Sequence, residues 1–318
     1  MIRLDKNENL YGFSDGFISS TSTDVSLSLY PDYNEVVARV SEYFGVTANE
    51  IMLTNGADEA IDYIMQAVSE RLLLVPEPTF SLYEERALLH GYDVKKVTVG
   101  EKRMPLSLFS SDDLNNLTVI VNPANPSGVA YTADEIIRFS AAQAGTVVID
   151  ETYAEFFGQS VIAQRTSNMI IIRSFSKAWG LAGLRIGCVI ADVECIENIK
   201  RVRLPYSVNT FANAVLLKAL KCTEYLEKTI AIVKKDSLAL ANCFRKKGLL
   251  CRETAANFVL VQPRCAKDFV AYFRDHGVYV RELTGSMSGW VRITVAPEQV
   301  MKKVYPILDR YCAKEEKQ

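Results

Sequence analysis

The sequence predicts an α/β fold in which a mostly parallel sheet is flanked by helices and joined to a smaller α+β domain. Short β-branched runs recur between about residues 50 and 200, and segments with helical periodicity separate them. Strands that are apolar along their whole length are typical of a sheet covered on both faces. The alternation of strands and helices favours parallel pairing, because each helix carries the chain back to the same edge.

The elements are predicted in the following order. A helix begins near Asn34 and stops at Gly45. Apolar runs then predict the strands of the large domain at residues 51–54, 71–75, 94–99, 117–121, 146–149, 169–173 and 188–191. After a long helix, the rest of the chain predicts strand, helix, strand, strand and helix. We therefore predict a large domain over residues 31–230, with residues 1–30 and 231–318 forming an N-terminal arm and a small closing domain.

Bulk composition restricts the classes of protein that remain. The 318 residues are 49% apolar and 23% charged, which indicates a globular protein with a sizeable core. A net charge of −2 without a basic block argues against a nucleic-acid partner. No apolar run approaches the roughly 20 residues of a membrane span, and the N-terminus lacks a signal-peptide core. We therefore expect no membrane partner and a cytoplasmic location. Seven cysteines without a C-x-x-C pair predict reduced thiols and no metal site.

The stretch at residues 174–187 carries the strongest chemical signal. It follows a buried strand, so Lys177 is expected at the carboxyl end of the sheet, where open α/β sheets bind ligands. The hydroxyls of Ser174 and Ser176 and the guanidinium of Arg185 could together hold a phosphate. A phosphate fixed beside a lysine suggests pyridoxal phosphate held as a Schiff base.

Two further strand ends carry groups suited to the same cofactor. The turn at residues 55–58 opens a helix whose N-terminus would bind a phosphate, although Asn55 acting as a simple N-cap explains this turn equally well. Asp150 ends another buried strand, where a carboxylate is costly unless it is paired. A protonated pyridine nitrogen would supply the pair. The alternative is that Asp150 caps a helix.

These stretches resemble the motifs of the class I and II aminotransferases, which are fold type I pyridoxal phosphate enzymes. Residues 177–185 read Lys-Ala-Trp-Gly-Leu-Ala-Gly-Leu-Arg, and residues 122–128 read Asn-Pro-Ala-Asn-Pro-Ser-Gly, with serine replacing the usual threonine. The likeness runs from about Leu4 to about Glu298 and is greatest to the histidinol-phosphate aminotransferases. It implies an enzyme that transfers an amino group from an amino donor to a 2-oxo acid acceptor.

The resemblance implies a role for each matching residue. Lys177 would hold the cofactor and move a proton, and Asp150 would contact the ring nitrogen, while the 3′ oxygen would be contacted by Asn125 and Tyr153. Phosphate contacts are implied for Ser174, Ser176, Arg185, Gly56, Ala57 and Asp58, and for Tyr30 reaching in from a partner subunit. Phe80 would stack on the ring, and its place at a strand end favours this role, although an aromatic residue is more often part of the core. Tyr83 could compete for the same role. A simple turn before the first helix is the alternative for Tyr30.

Substrate contacts are implied for Asn7, Arg281 and Arg292. Arg292 lies between apolar strand residues, where an unpaired charge is costly, so we expect it to face a cleft. For Arg281 a surface salt bridge is an equal alternative. The resemblance implies histidinol phosphate with glutamate and 2-oxoglutarate as substrates, and a homodimer with a shared active site. Because the chain begins almost directly at its Asn-Glu-Asn segment, where the family usually has a preceding arm, another phosphorylated or aromatic amine stays open.

The sequence leaves two other functions open. One is a decarboxylase of phosphorylated amino acids, similar to threonine-phosphate decarboxylase, which shares the lysine, aspartate and arginine motifs. The other is a non-catalytic effector-binding domain of the kind that is fused to a DNA-binding module, for which we expect no room before Leu4.

Overall fold

The structure, a computed structural model, describes residues 1–13, 17, 25–26, 28–100 and 102–315. The described residues form sheets of seven, four and two strands. The strands are β1 Ile2–Arg3, β2 Ile51–Thr54, β3 Leu72–Glu77, β4 Asp93–Thr98, β5 Asn116–Val121, β6 Val147–Asp150, β7 Met169–Ser174, β8 Gly187–Ile190, β9 Leu250–Glu253, β10 Phe258–Gln262, β11 Val278–Tyr279, β12 Arg281–Glu282 and β13 Val291–Thr294. The helices are α1 Asn34–Phe44, α2 Gly56–Ala67, α3 Leu82–Leu89, α4 Ala133–Ala141, α5 Ala154–Phe157, α6 Val193–Lys200, α7 Thr210–Ala219, α8 Thr223–Lys246, α9 Ala266–Asp275 and α10 Glu298–Glu315.

The seven-stranded sheet has the order β2-β8-β7-β6-β5-β3-β4. The five strands β7-β6-β5-β3-β4 pair in parallel with their neighbours, as the sequence predicts. Strand β8 is the exception, because it pairs antiparallel with both β7 and β2. Between β7 and β8 the chain forms only a loop with a short 3-10 turn at Ala182–Leu184, whereas a parallel return requires a covering crossover such as a helix.

The central strands of this sheet are buried along their whole length, as expected for a sheet packed on both faces. Along β7, Met169 and Ile171 belong to one apolar cluster, and Ile170 and Ile172 belong to the other. This alternation follows from the two-residue period of a strand. The polar residues at the strand ends are thereby left at the edge of the sheet, between the two apolar layers.

The four-stranded sheet is antiparallel, with the order β12-β13-β10-β9. Strand β9 is missing from the sequence prediction, and the strand predicted up to residue 281 is divided into β11 and β12. The predicted domain boundary at residue 230 lies inside α8, so one continuous helix joins the two regions. Strand β1 pairs in parallel with β11, which attaches the start of the chain to the smaller region.

No helix in the described part of the chain is long and apolar enough to cross a bilayer. Nor do three or more potential metal ligands come together among the residues that the structure describes. Within the described residues, none of the seven cysteines forms a disulfide. Burial raises the pKa of Cys188 to about 12, so this thiol stays protonated near neutral pH.

Candidate active site

A cavity of about 390 Å³ lies at the carboxyl ends of β5, β6 and β7, where the sequence predicts a ligand. Ten of the predicted site residues line it: Ala57, Asp58, Phe80, Asn125, Asp150, Tyr153, Ser174, Ser176, Lys177 and Arg185. A neighbouring lobe of about 440 Å³ contains Asn7, Arg281 and Arg292. Lys177 lines both spaces, so the two lobes meet at its side chain.

Lys177 lies in the loop between β7 and β8, with its amine inside the cavity. Its Nζ donates a hydrogen bond to the backbone oxygen of Lys6 at 3.0 Å. The same Nζ lies 5.7 Å from the ring centroid of Tyr153. In the part of the chain that the structure describes, Lys177 forms no salt bridge, so its amine is available to react with a carbonyl compound.

Asp150 ends β6 with its carboxylate almost completely buried. Oδ2 accepts a hydrogen bond from the hydroxyl of Tyr83 at 2.8 Å, and Oδ1 accepts one from the backbone N–H of Thr152 at 2.9 Å. Burial raises the pKa of Asp150 above its usual range, and these two donors only partly offset that effect. Helix α5 begins later, after Tyr153, so Asp150 does not cap it.

The groups predicted to hold a phosphate surround the start of α2. The Oγ of Ser174 accepts a hydrogen bond from the backbone N–H of Ser176 at 3.2 Å. Arg185 has a left-handed backbone with φ of 54° and donates to Oδ2 of Asp58 at 2.8 Å. The side chain of Asn55 makes no capping hydrogen bond, so the N-cap interpretation of this turn is wrong. The first N–H groups of α2 are therefore not occupied by that cap.

Gly56 and Gly187 allow this close packing. Gly56 has φ of +80°, and a Cβ built there would lie 2.6 Å from a guanidinium nitrogen of Arg185. A Cβ at Gly187 would lie 2.8 Å from the backbone carbon of Gly56. A larger residue at either position would push Arg185 and the start of α2 apart, so both glycines preserve the space between them.

Asn125 and Arg292 connect the two lobes. The guanidinium of Arg292 donates to Oδ1 of Asn125 and also to the backbone oxygen of Asp5, the latter at 2.7 Å. Burial lowers the pKa of Arg292, and among the described residues its Nε has no hydrogen-bond partner. The expectation that Arg292 faces a cleft is thus met by its place in the lobe. Asn125 Nδ2 makes no hydrogen bond to another described residue and can donate to a ligand.

Tyr153 and Asn7 form a second connection. Asn7 is buried, has φ of 53°, and donates through Nδ2 to the hydroxyl of Tyr153 at 3.0 Å. Its backbone N–H donates to Oγ1 of Thr294 on β13 at 3.0 Å. Because Tyr153 accepts from Asn7, its own hydroxyl proton can be donated into the cavity.

The remaining predicted residues differ in their surroundings. Phe80 lines both lobes and is partly exposed, whereas Tyr83 is completely buried and bonds to Asp150, so Tyr83 does not compete for the stacking position. Arg281 is exposed on β12 and lines the second lobe. Tyr30 does not line the cavity of its own chain, because it is exposed and stacks on Tyr206 with centroids 4.2 Å apart.

Three charged residues that line the cavity were absent from the sequence prediction as site residues: Arg3, Lys6 and Glu8. They belong to the segment around the Asn-Glu-Asn motif, which was the available signal. Their place depends on the pairing of β1 with β11, a contact between distant parts of the chain. The role of Tyr83 could have been found from its chemistry, since a buried tyrosine hydroxyl usually needs a partner.

A family comparison agrees with this geometry. Residues 1–305 match the family model of the aminotransferases of class I and II, and the chain belongs to that family. It is therefore a pyridoxal phosphate-dependent aminotransferase, with the fold type I architecture predicted from the sequence.

Individual relatives narrow the class. The histidinol-phosphate aminotransferase of Thermococcus gammatolerans is 31% identical over 303 residues, covering 92% of this chain and 87% of that protein. The histidinol-phosphate aminotransferase of Sinorhizobium meliloti, solved in complex with pyridoxal-5′-phosphate, superposes with a TM-score of 0.89 at 22% identity, covering 98% of this chain and 91% of that one.

The decarboxylase alternative is not favoured. L-Threonine-O-3-phosphate decarboxylase from Porphyromonas gingivalis superposes with a TM-score of 0.86, covering 98% of this chain and 99% of that one. Its sequence identity of 20% shows only that the fold is shared. The relative at 31% identity is named as an aminotransferase, and this supports an enzyme rather than a non-catalytic effector domain.

Proposed function

We propose that this enzyme transfers the amino group between glutamate and histidinol phosphate, with Lys177 holding the cofactor. The observation that carries the site assignment is that the Lys177 amine, the Asp150 carboxylate and the Arg185 guanidinium line one cavity, although they are distant in sequence. The relative at 31% identity supports the choice of substrate through its name.

The residues of the cavity fit pyridoxal phosphate. Asp150 is a buried carboxylate, and among the described residues it forms no salt bridge. A buried carboxylate without a cation is costly, and a protonated pyridine nitrogen would supply that cation. The phosphate would be held by the hydroxyls of Ser174 and Ser176, by Arg185, and by the N–H groups of the turn that includes Gly56, Ala57 and Asp58. Phe80 would stack on the ring, and Asn125 and Tyr153 would donate to its 3′ oxygen.

The chemistry is divided among the residues in the following way. When bound, pyridoxal phosphate withdraws electrons from the bonds at the substrate Cα. Asp150 would keep the ring nitrogen protonated, which this role requires. The Lys177 amine, once the incoming substrate amine has replaced it on the cofactor, would accept the proton from Cα. Arg292, with Asn7 and Arg281 in the same lobe, would bind the anionic group attached to Cα.

Turnover measurements test the proposed reaction. Purified enzyme with histidinol phosphate and 2-oxoglutarate should form glutamate, and Lys177→Ala should reduce this rate by about a thousandfold or more. Lys200→Ala, which changes a half-buried lysine on α6 paired with Glu197, is the matched control and should leave the rate unchanged. Release of CO2 from a phosphoamino acid without a keto product would instead support the decarboxylase.

We also propose a cytoplasmic homodimer in which Tyr30 contacts the cofactor phosphate in the partner's site. Four large apolar side chains are exposed around this position: Leu29, Tyr30, Leu204 and Tyr206. An exposed apolar patch of this kind is typical of an interface. The sequence resemblance supports a second copy of the chain as its occupant.

Mixed dimers test whether the site is shared. Subunits carrying Tyr30→Ala and subunits carrying Lys177→Ala should each have low activity alone. Mixing, unfolding and refolding them together should restore about a quarter of the wild-type rate, because half of the dimers would contain one intact site. If the mixture forms dimers but recovers no activity, the shared site is contradicted.

A further inference from the structure

The segment Arg3–Glu8 forms a wall of the cavity beside the catalytic lysine. The backbone oxygen of Lys6 accepts from Lys177 Nζ at 3.0 Å, and that of Asp5 accepts from Arg292 at 2.7 Å. At the start of the segment, β1 is held by its pairing with β11. The backbone of the segment is therefore held at its start and in its middle, next to Lys177.

A guanidinium and a carboxylate lie side by side on this wall. Arg3 Nε donates to Oε2 of Glu8 at 3.2 Å, and a terminal nitrogen of Arg3 donates to Oε1. The two side chains keep 46% and 29% of their exposure, so a ligand in the cavity can reach both. An exposed pair of this kind contributes little to stability, which leaves either partner free to exchange for a ligand.

The two lobes separate the substituents of the substrate. One lobe contains Arg281 and Arg292 but neither Arg3 nor Glu8, and the other contains Arg3 and Glu8 but neither of those arginines. Lys177 lies where the lobes meet, so the Cα of a bound amine would lie there too. The anionic group at Cα would then enter the arginine lobe, and the side chain of the substrate would point toward Arg3 and Glu8.

The proposed reaction presents two different side chains to this one position. Glutamate ends in a carboxylate, whereas histidinol phosphate ends in an imidazole whose N–H is a donor. A guanidinium is a strong, bidentate partner for a carboxylate, and a carboxylate is a strong acceptor for an imidazole N–H. Resting on the proposed function, we propose that the Arg3–Glu8 pair recognises both side chains in turn, with Arg3 binding the glutamate carboxylate and Glu8 binding the imidazole.

The two half-reactions test this pairing separately, because both donors react with the same form of the enzyme. The readout is kcat/KM for each donor, and each reaction is monitored through the visible absorbance of the bound cofactor. Arg3→Gln should lower kcat/KM for glutamate by about tenfold or more and leave histidinol phosphate within about twofold. Glu8→Gln should do the reverse, lowering kcat/KM for histidinol phosphate and not for glutamate.

Controls separate recognition from misfolding. Arg39→Gln breaks an exposed Arg–Glu pair on α1, outside the cavity, and should leave kcat/KM unchanged for both donors. Arg3→Lys keeps the charge but not the planar fork, and should recover part of the glutamate reaction. Binding is measured directly with glutarate, a dicarboxylate without an amine, whose dissociation constant should rise about tenfold in Arg3→Gln and not in Glu8→Gln.

The outcomes that overturn the pairing can be distinguished from failure of the proposed function. If wild-type enzyme reacts with glutamate but not with histidinol phosphate, the proposed substrate is wrong and the role of Glu8 falls with it. If the wild type reacts with both donors while each variant changes both equally, or neither, only the Arg3–Glu8 inference is overturned.

Discussion

Two acidic residues that are neighbours in sequence have opposite environments at the end of β6. Glu151 is completely buried and forms a salt bridge to Arg173 at 2.7 Å, with further hydrogen bonds from Ser160 Oγ at 2.6 Å and from the backbone N–H of Val161 at 2.8 Å. Asp150 is also buried, yet within the described chain it has hydrogen-bond donors and no cation. The first carboxylate is neutralised within the protein, and the second is left for a ligand.

The group that completes the first environment is Arg173, the residue before Ser174 on β7. It contacts both Glu151 and Glu155, and its guanidinium lies 5.0 Å from the ring centroid of Phe44. Burial alone would lower the pKa of Arg173, but the two carboxylates outweigh burial and raise it. Arg173 thus joins the strand end that carries Asp150 to the strand end that carries Lys177. The comparison teaches that, among the described residues, a buried carboxylate has a cation where it supports the site and lacks one where we propose that the cofactor binds.

The largest expected effect on stability comes from removing Arg173, the cation that neutralises Glu151. Arg173→Met should lower the free energy of unfolding by about 3–5 kcal/mol, because two buried carboxylates lose their cation. Chemical denaturation of the cofactor-free protein measures this. The matched control is Arg165→Met, which breaks a less buried pair with Glu50 and should cost less. A loss from Arg173→Met no larger than that of the control would contradict the role of this cluster.

Removing the charge of Asp150, the buried acid with no cation in the described chain, should impair catalysis but not the stability of the fold. Asp150→Asn should reduce kcat by about a hundred- to a thousandfold, because the ring nitrogen loses its stabilising charge. The cofactor-free protein, in contrast, should not be destabilised near neutral pH, since the variant no longer buries an unpaired charge. Steady-state kinetics and thermal unfolding together check the pair of results. A strong loss of stability together with normal kcat would reverse the assignment of the two acids.

The pH dependence of stability sharpens the same comparison. Because the pKa of Asp150 is raised on folding, the folded protein binds its proton more tightly than the unfolded chain does. The stability that this proton contributes is complete below the unfolded pKa of about 4 and is lost as the pH rises through the folded pKa. In thermal unfolding without cofactor, wild type and Asp150→Asn should differ least at the acid end, with the variant gaining relative stability as the pH rises. A constant difference across this range would show that Asp150 has no raised pKa.

Removing the hydroxyl that supports Asp150 should have the smallest effect. Tyr83→Phe leaves Oδ2 without its donor, which raises the pKa of Asp150 further and should reduce kcat by about tenfold. The acid limb of the kcat profile should move to higher pH. Adding Tyr83→Phe to Asp150→Asn should cause little further loss, because the hydroxyl acts through that carboxylate. Fully additive losses would mean that Tyr83 acts independently of Asp150.

Local patterns in the sequence were sufficient to predict much of this site. Apolar runs identified the strands of the seven-stranded sheet, and the polar residues that follow two of these runs included Asp150 and Lys177, because parallel strands bring their carboxyl ends to one edge. Comparison with the family motifs added Asn125 and Tyr153. The structure places all four in the wall of one cavity.

What could not be predicted depends on pairing between distant segments. The register of β6 against β7 places Asp150 opposite Ile172, and this brings Glu151 close to Arg173. The spacing of residues in the sequence does not determine that register. The antiparallel direction of β8 and the place of Arg3 beside the cavity likewise depend on which strands pair, and periodicity within a strand does not contain that information.

The convergence of Lys177 with Asp150 and Arg185 on one cofactor is tested most directly by covalent trapping. Reduction of the cofactor-loaded enzyme with borohydride, followed by digestion and mass spectrometry, identifies the lysine that holds pyridoxal phosphate. The account predicts a single modified peptide, with the pyridoxyl group on Lys177 and none on the neighbouring Lys6. Modification of Lys6 or of any other lysine in its place would contradict it.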